Sequence, residues 1–456
     1  MQKEKEIQQL VDSLEGYLHQ KTKGDLHYSD LSKIFKRIIR LDEERFSEYI
    51  KRMPTHILGD ILETFNERML KESLHALSLK KMIGTIKKMD SDDATDLLQD
   101  IEELDEELAE SILDGLDNKE QEEIQRLKGY EEDEAGAYMQ IEFFAANHNE
   151  TVRETIENLR KLKYSEELEN ITSVFVIGDY NNLVATVQLE DMLLFDFDKS
   201  FKEIISKRPE KYKPRYVNDK EEIEKVVIDF KEYDLQVIPV IDADNYLVGR
   251  ITADDIYDLL QEMATEQIYN MAGLDEETEK EKNVIEIIKK RGRWLFINLW
   301  TAILASFVIS RFEGTISAIP TLAVLMPIVA SMGGNGGTQT LAVMVRQLAL
   351  GEIDETNWSY QMTKEVIVAS VNGVIFALFI GGITYLWVRD IRMAIIIAIA
   401  MVINLIVAGV SGGMIPIILK KFKIDPAVGS SVILTTITDV IGFFAFLGLA
   451  EMFILN

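Results

Sequence analysis

One carboxylate, Asp439, interrupts the apolar run 426–450. A run of that length crosses a bilayer as a helix, since ~20 apolar residues suffice at 1.5 Å each. A carboxylate at that depth costs ~2.5–3.5 kcal/mol, so it faces a partner or a water-filled path. Thr435, Thr436, Thr438 and Gly442 lie on nearby turns and offer hydroxyls and a notch, as a hydrated ion path needs. The plainer alternative is an Asp that only pairs with a neighbouring helix. A second polar stretch is the glycine-rich run Ser331-Met332-Gly333-Gly334-Asn335-Gly336-Gly337-Thr338-Gln339-Thr340. Such backbone at membrane depth is tolerated inside protein or beside a water-filled cavity. A broken helix there would offer carbonyls to an ion, and Asn335 and Gln339 each need polar partners in hydrocarbon. Close helix packing by small residues is the competing reading. No Gly-Lys-Ser/Thr follows, so the run is not a P-loop. A third group, Asp92, Asp93 and Asp96, lies within a turn and a half. These acids either favour a helix start or let a divalent cation bridge this face to another acidic surface.

Composition narrows the chemistry. Residues 289–456 are strongly apolar and nearly balanced in charge, so the acidity behind the chain's net charge of −28 comes from residues 1–288. Such a surface repels nucleic acid and attracts cations. The absence of cysteine excludes disulfides, iron–sulfur clusters and thiol catalysis. His19, His27, His56, His75 and His148 all lie outside the apolar runs without metal-pair spacing. The apolar part holds no second mid-span carboxylate for a catalytic dyad, so the reading is not an enzyme. The opening residues lack the apolar core of a signal peptide, which places the amino-terminal part in the cytoplasm.

The elements that position these groups follow from periodicity. Three- and four-residue apolar spacing predicts helices over 42–53, 56–65, 67–77, 79–89, 92–101, 106–116 and 118–127, with Ser91 as a cap. Helices in series suggest a small superhelical solenoid. Residues 171–193 and 235–260 each read strand, turn, strand, helix, with turns at Asp179-Tyr180-Asn181-Asn182 and Asp242-Ala243-Asp244-Asn245. A helix precedes each, at 152–162 and 221–232. A polar helical connector then leads to five charge-poor stretches, 294–310, 314–345, 366–388, 393–419 and 426–450. Lys289, Lys290, Arg291, Arg293, Arg346, Lys364, Lys420, Lys421 and Lys423 flank one side of them. That bias predicts a cytoplasmic amino terminus and an external carboxyl terminus.

Val237-Ile238-Pro239-Val240 and Gly249-Arg250-Ile251-Thr252-Ala253-Asp254-Asp255 resemble a CBS domain, and the earlier copy, with Ala185 in place of Gly249, resembles it more weakly. The run 326–353, the run 405–427 and the stretch containing Thr435-Thr436-Ile437-Thr438-Asp439 are similar to the MgtE family of bacterial magnesium channels. The resemblance covers nearly the whole chain. It implies an all-α superhelical amino-terminal domain (1–138), an α+β tandem CBS pair (139–200 and 201–261), a connecting helix (262–290) and an α-helical transmembrane bundle of five spans (291–456). It further implies a homodimer in the lipid of the cell membrane that imports Mg²⁺ along Asp439, Asn335, Thr435 and Gly442. Cytosolic Mg²⁺ would close it at Asp92 and Asp96 facing Asp255 and Asp258, with Glu266 and Asp425 tying the connector to the pore. Met263 and Gln267 stand where relatives often have carboxylates, which shifts weight to Glu262. Tandem CBS domains commonly bind adenine nucleotides, so ATP is an expectation of the resemblance. The alternatives are a CBS-regulated carrier of Mn²⁺ or Co²⁺ and a non-conducting membrane sensor.

Overall fold

The computed structural model describes residues 2–19, 26–164, 168, 170–274, 284–353 and 357–455. It forms two compact units, Met1–Leu259 and Leu260–Asn456.

Among the described residues, the first unit opens with nine helices: α1 (Gln2–Leu18), α2 (Tyr28–Leu41), α3 (Glu43–Arg52), α4 (Thr55–Glu63), α5 (Glu67–Ala76), α6 (Leu79–Ile86), α7 (Ser91–Leu104), α8 (Glu106–Asp114) and α9 (Asn118–Leu127). Short polar side chains start most of them. Asp42 accepts from the Arg45 amide, Asn66 from Met69, and Asp105 from Leu108; Asp117 and Glu120 close a reciprocal box. The expected cap at Ser91 is corrected. Asp90 holds the cap position of α7 without a side-chain bond, and Ser91 instead donates its hydroxyl to Glu142 at 2.8 Å. The Ile141 amide in turn donates to the Ser91 hydroxyl at 2.9 Å. A buried serine that ties α7 to the next segment has no hydroxyl left for its own helix. Phe35, Phe46 and Phe65 pack ring against ring in the helical core, each such burial contributing about 1.5–3 kcal/mol.

Two three-stranded sheets follow, β1 (Ala145–Asn147), β2 (Ser173–Ile177), β3 (Leu183–Gln188) and β4 (Val217–Asn218), β5 (Val237–Ile241), β6 (Leu247–Thr252). In each, the first strand is parallel to the second and the second is antiparallel to the third. The hairpin turns place Asn181 and Asn245 at φ 57° and 64°, a left-handed conformation that asparagine tolerates. Gly249 is required by a neighbour, because a Cβ there would lie 2.8 Å from the Gln140 carbonyl, and Gln140 and Arg250 exchange backbone hydrogen bonds. β1 and β4 are too short to leave a periodic signal. The helices Val152–Tyr164 and Ile223–Tyr233 precede the hairpins.

The helix Ala253–Met271 starts directly after β6 and ends at Gly273, φ 70°. The rest of the predicted connector falls partly at 275–283, outside the described residues. Among its described residues the second unit then holds the α-helices Val284–Ser310, Glu313–Ala318, Thr321–Ala349, Trp358–Val388, Ile391–Lys421 and Ser430–Ala450, the last followed by a π-helical turn at Glu451–Leu455. Among the described residues, Ile287–Ser310, Trp358–Val388, Ile391–Lys421 and Ser430–Leu455 are long and apolar enough to cross a membrane. Thr321–Ala349 has 29 residues, about 43 Å at helical rise, and is long enough, but its glycines and amides dilute its apolarity. Ile391–Lys421 packs against Thr321–Ala349, Trp358–Val388 and Ser430–Ala450. Trp358–Val388 leaves Leu378, Phe379, Leu386 and Trp387 exposed, as a lipid-facing helix does.

The expected break in the glycine-rich run is corrected. Thr321–Ala349 is one helix through residues 331–340, and the interruption falls before it, between Glu313–Ala318 and Thr321. The glycines serve close packing: a Cβ on Gly337 would meet Leu434 at 2.7 Å, and one on Gly412 would meet the Gly337 carbonyl at 2.6 Å. Helical hydrogen bonding therefore occupies the carbonyls assigned to an ion.

Candidate ion path and acidic cluster

Asp439 lies on Ser430–Ala450 and is half-buried. One turn earlier, Thr435 is exposed and returns its hydroxyl to the Ser431 carbonyl at 3.0 Å. A Cβ on Gly334 would touch Thr435 at 4.0 Å, so the two polar helices meet at this level. On the facing helix Asn335 is exposed, its amide 3.4 Å from the Ser331 hydroxyl, and Thr338 and Gln339 are also exposed. Asn335, Thr435 and Asp439 thus contribute to a polar face on an otherwise apolar bundle. Gly442 does not join them, because it is buried against Asn404, whose Nδ2 a Cβ would meet at 2.7 Å. Sequence reasoning missed Glu365. It accepts a hydrogen bond from Thr340 at 3.2 Å, inside a helix whose predicted start lay one residue beyond it.

The acids of the first unit converge further than expected. Asp92 is buried, and its Oδ1 meets no donor among the described residues. Burial raises its carboxyl well above the usual range, and Asp93 and Asp255 add repulsion. Burial also pushes Asp93 up to about 7, with Asp255, Asp90 and Asp96 contributing. Glu63 goes furthest, up to about 9, first through burial and then through Asp93, Asp60, Asp96 and Asp90. Asp255 is raised by burial, against which Thr252 donates its hydroxyl at 2.6 Å. Asp258 is exposed and acts electrostatically on Tyr28, as do Asp60 and Glu63. Asp92 and Asp255 are therefore brought together, and the exposed Asp96 acts on the largely buried Glu63 and Asp93. Asp93 belongs to the group that the sequence singled out, whereas Asp60 and Glu63 were the unrecognised members, their i, i+3 spacing at the end of α4 being the one available signal. Among the described residues no three acidic or histidine side chains are close enough to chelate a metal directly. The orphaned Asp92 oxygen and the repelling carboxylates suit a hard cation that keeps its waters.

At the second unit's connector end, Asn270 is buried and donates to Glu266 at 3.2 Å and to Asp425 at 2.6 Å. Ser431 donates to the Met271 carbonyl at 2.6 Å. Trp294 lies against Gly273 and Gly429, both with left-handed φ.

Family profiles match an MgtE divalent cation transporter over residues 326–449, an MgtE intracellular N domain over 26–133 and a CBS domain over 202–262. The magnesium transporter MgtE of Enterococcus faecalis is 31% identical over 331 residues, 73% of this chain and 71% of that relative. The magnesium transporter MgtE of Thermus thermophilus is 30% identical over 363 residues, 79% of each chain. The chain belongs to the MgtE family. The magnesium transporter MgtE of Bacillus subtilis aligns along 99% of it at 27% identity. A solved structure of the soluble part of a magnesium transporter covers 57% of the chain and 99% of its own, at 26% identity and a TM-score of 0.49. This MgtE member combines a helical amino-terminal domain, strand-containing CBS modules and a helical region with membrane-crossing helices. Its relatives are named as transporters, not enzymes.

Proposed function

We propose that the chain is a Mg²⁺ channel of the cell membrane that admits Mg²⁺ and is shut by cytosolic Mg²⁺. The carrying observation is the half-buried Asp439 one turn beyond the exposed Thr435, on a helix that meets the one carrying the exposed Asn335. Polar side chains left open on an apolar bundle need a partner or water. A second copy related by a two-fold axis covers that face and brings two Asp439 carboxylates to one hydrated dication. Mg²⁺ sheds its waters reluctantly, so Asp439 holds it through them. The amino terminus is cytoplasmic and the carboxyl terminus external, from the flanking lysines and arginines.

Closure uses the acidic cluster. Mg²⁺ between α4 and α7 on one side and Asp255 and Asp258 on the other removes repulsion among their carboxylates. The helix Ala253–Met271 carries that change toward the pore, where Glu266, Asn270 and Asp425 meet. ATP at the CBS pair is a further part of this reading, as the resemblance implies. The experiment is divalent flux into proteoliposomes. The native chain takes up Mg²⁺ and Asp439→Ala does not. A folded Asp439→Ala protein with native uptake refutes the path, and a native chain that moves no divalent cation leaves the sensor reading.

A further inference from the structure

Asn404 lies within Ile391–Lys421 and is fully buried. Its Nδ2 donates to the Val329 carbonyl of Thr321–Ala349 at 2.8 Å, and its Oδ1 is buried without a donor among the described residues. A Cβ built on Gly333 would fall 2.2 Å from Nδ2, and one on Gly442 would fall 2.7 Å from it. The carboxamide is thus clamped between two other helices, and glycine is needed on both. An amide with a buried, unmet acceptor costs roughly 1–3 kcal/mol, and a leucine of similar size carries no such cost. Stability therefore does not account for asparagine here. Its effect is to set a distance. Gly442 lies three residues beyond Asp439, and Gly333 lies two residues before Asn335. The two glycines that face the carboxamide thus lie within three residues of the polar side chains on the same two helices.

We propose that Asn404 is a positioning residue for the ion path: clamped between Gly333 and Gly442, it fixes the spacing of the helices that carry Asn335 and Asp439, and so sets which divalent cation is preferred. The inference rests on the reading of Asp439 as the ion-binding carboxylate. A path that selects a dication by the waters it keeps is sensitive to width, because Mg²⁺ demands near-ideal octahedral geometry.

The test uses the full chain in proteoliposomes, with Mg²⁺ and Mn²⁺ uptake compared and half-saturation separated from maximal rate. Asn404→Ala removes the spacer and always fits. Gly442→Ala pushes the amide aside without removing a polar group. Both are expected to change the Mg²⁺:Mn²⁺ uptake ratio about threefold or more, within the ~100-fold that a 1 Å misplacement costs a positioned site. A merely structural role lowers the folded yield and the uptake of both ions together, leaving the ratio native. A native ratio in whichever variants fold overturns the proposal, and so does failure of both to fold, which assigns Asn404 to folding alone. If the native chain moves neither ion, the function reading fails instead. If Asp439→Ala abolishes uptake while the Asn404 variants keep the native ratio, only this inference fails.

Discussion

Asn270 donates to Asp425 across 155 positions of chain, at 2.6 Å, and its amide also reaches Glu266. A neutral amide therefore joins the two carboxylates that sequence reasoning assigned to tying the connector to the pore. Two carboxylates that share an amide donor do not need a dication to stay together. Asn270→Ala leaves them facing each other without that donor. A hydrogen bond to a charged group contributes about 1.5–3 kcal/mol, so the Mg²⁺ needed to silence flux should rise about tenfold or more. Titrating closure in proteoliposomes measures this, and an unchanged closing concentration would show that the joint plays no part in gating.

The acidic cluster yields a pH dependence of definite sign. Glu63 and Asp93 have folded-state pKa values of about 9 and about 7, above the ordinary ~4 of the unfolded chain. The folded state thus holds protons that the unfolded state releases. Stability from these groups is full below about pH 4 and is lost as pH rises through 7 and then 9. In chelator, the first thermal transition of the detergent-solubilised chain should fall between pH 6 and pH 9, and Mg²⁺ should restore it. Glu63→Gln should flatten the upper part of that fall. A transition that rises with pH in chelator contradicts the cluster as described.

Mg²⁺ closure itself is checked by replacing Asp92, Asp96, Asp255 and Asp258 with asparagine. The variant keeps its side-chain shapes and loses the charges that hold a dication. Uptake should persist at Mg²⁺ concentrations that silence the native chain. Because ligands must be deprotonated to bind, Mg²⁺ addition to the native chain near neutral pH should also release protons, and the variant should release fewer. Native closure by the variant excludes this surface as the sensor.

Much of this was legible in the residues. Amphipathic spacing located α3 to α9 within a few positions, and the paired strand–turn–strand pattern located both hairpins, because side-chain periodicity and turn chemistry are local properties. The Asp439 stretch was legible for the same reason, as one charge in an apolar run is visible without neighbours. What stayed hidden depends on who faces whom. Ser91 looked like a cap until Glu142, 51 residues on, took its hydroxyl. Glycines at 333–337 looked like a break because sequence does not show Leu434 and Gly412 pressing against them. Glu63 drew no notice at a helix end, and only its burial near the α7 acids changes its chemistry.

The packing reading of the glycines makes its own contrast. A Cβ at Gly412 would lie 2.6 Å from the Gly337 carbonyl and 3.1 Å from Thr340, and backbone cannot swing away as a flexible side chain does. Gly412→Ala should therefore separate the helices Ile391–Lys421 and Thr321–Ala349 locally and cost about 1–3 kcal/mol, as overpacking does. At Gly382, also within a long helix, nothing lies within 4 Å of the added atom. Alanine there meets no obstacle and improves helix propensity by up to roughly 1 kcal/mol. The thermal midpoint of the full chain in detergent should fall for the first substitution and hold or rise for the second. The break reading expects Gly412→Ala to be harmless, since a distorted helix would leave room for the methyl group, so a native midpoint for that variant would overturn the continuous, tightly packed helix.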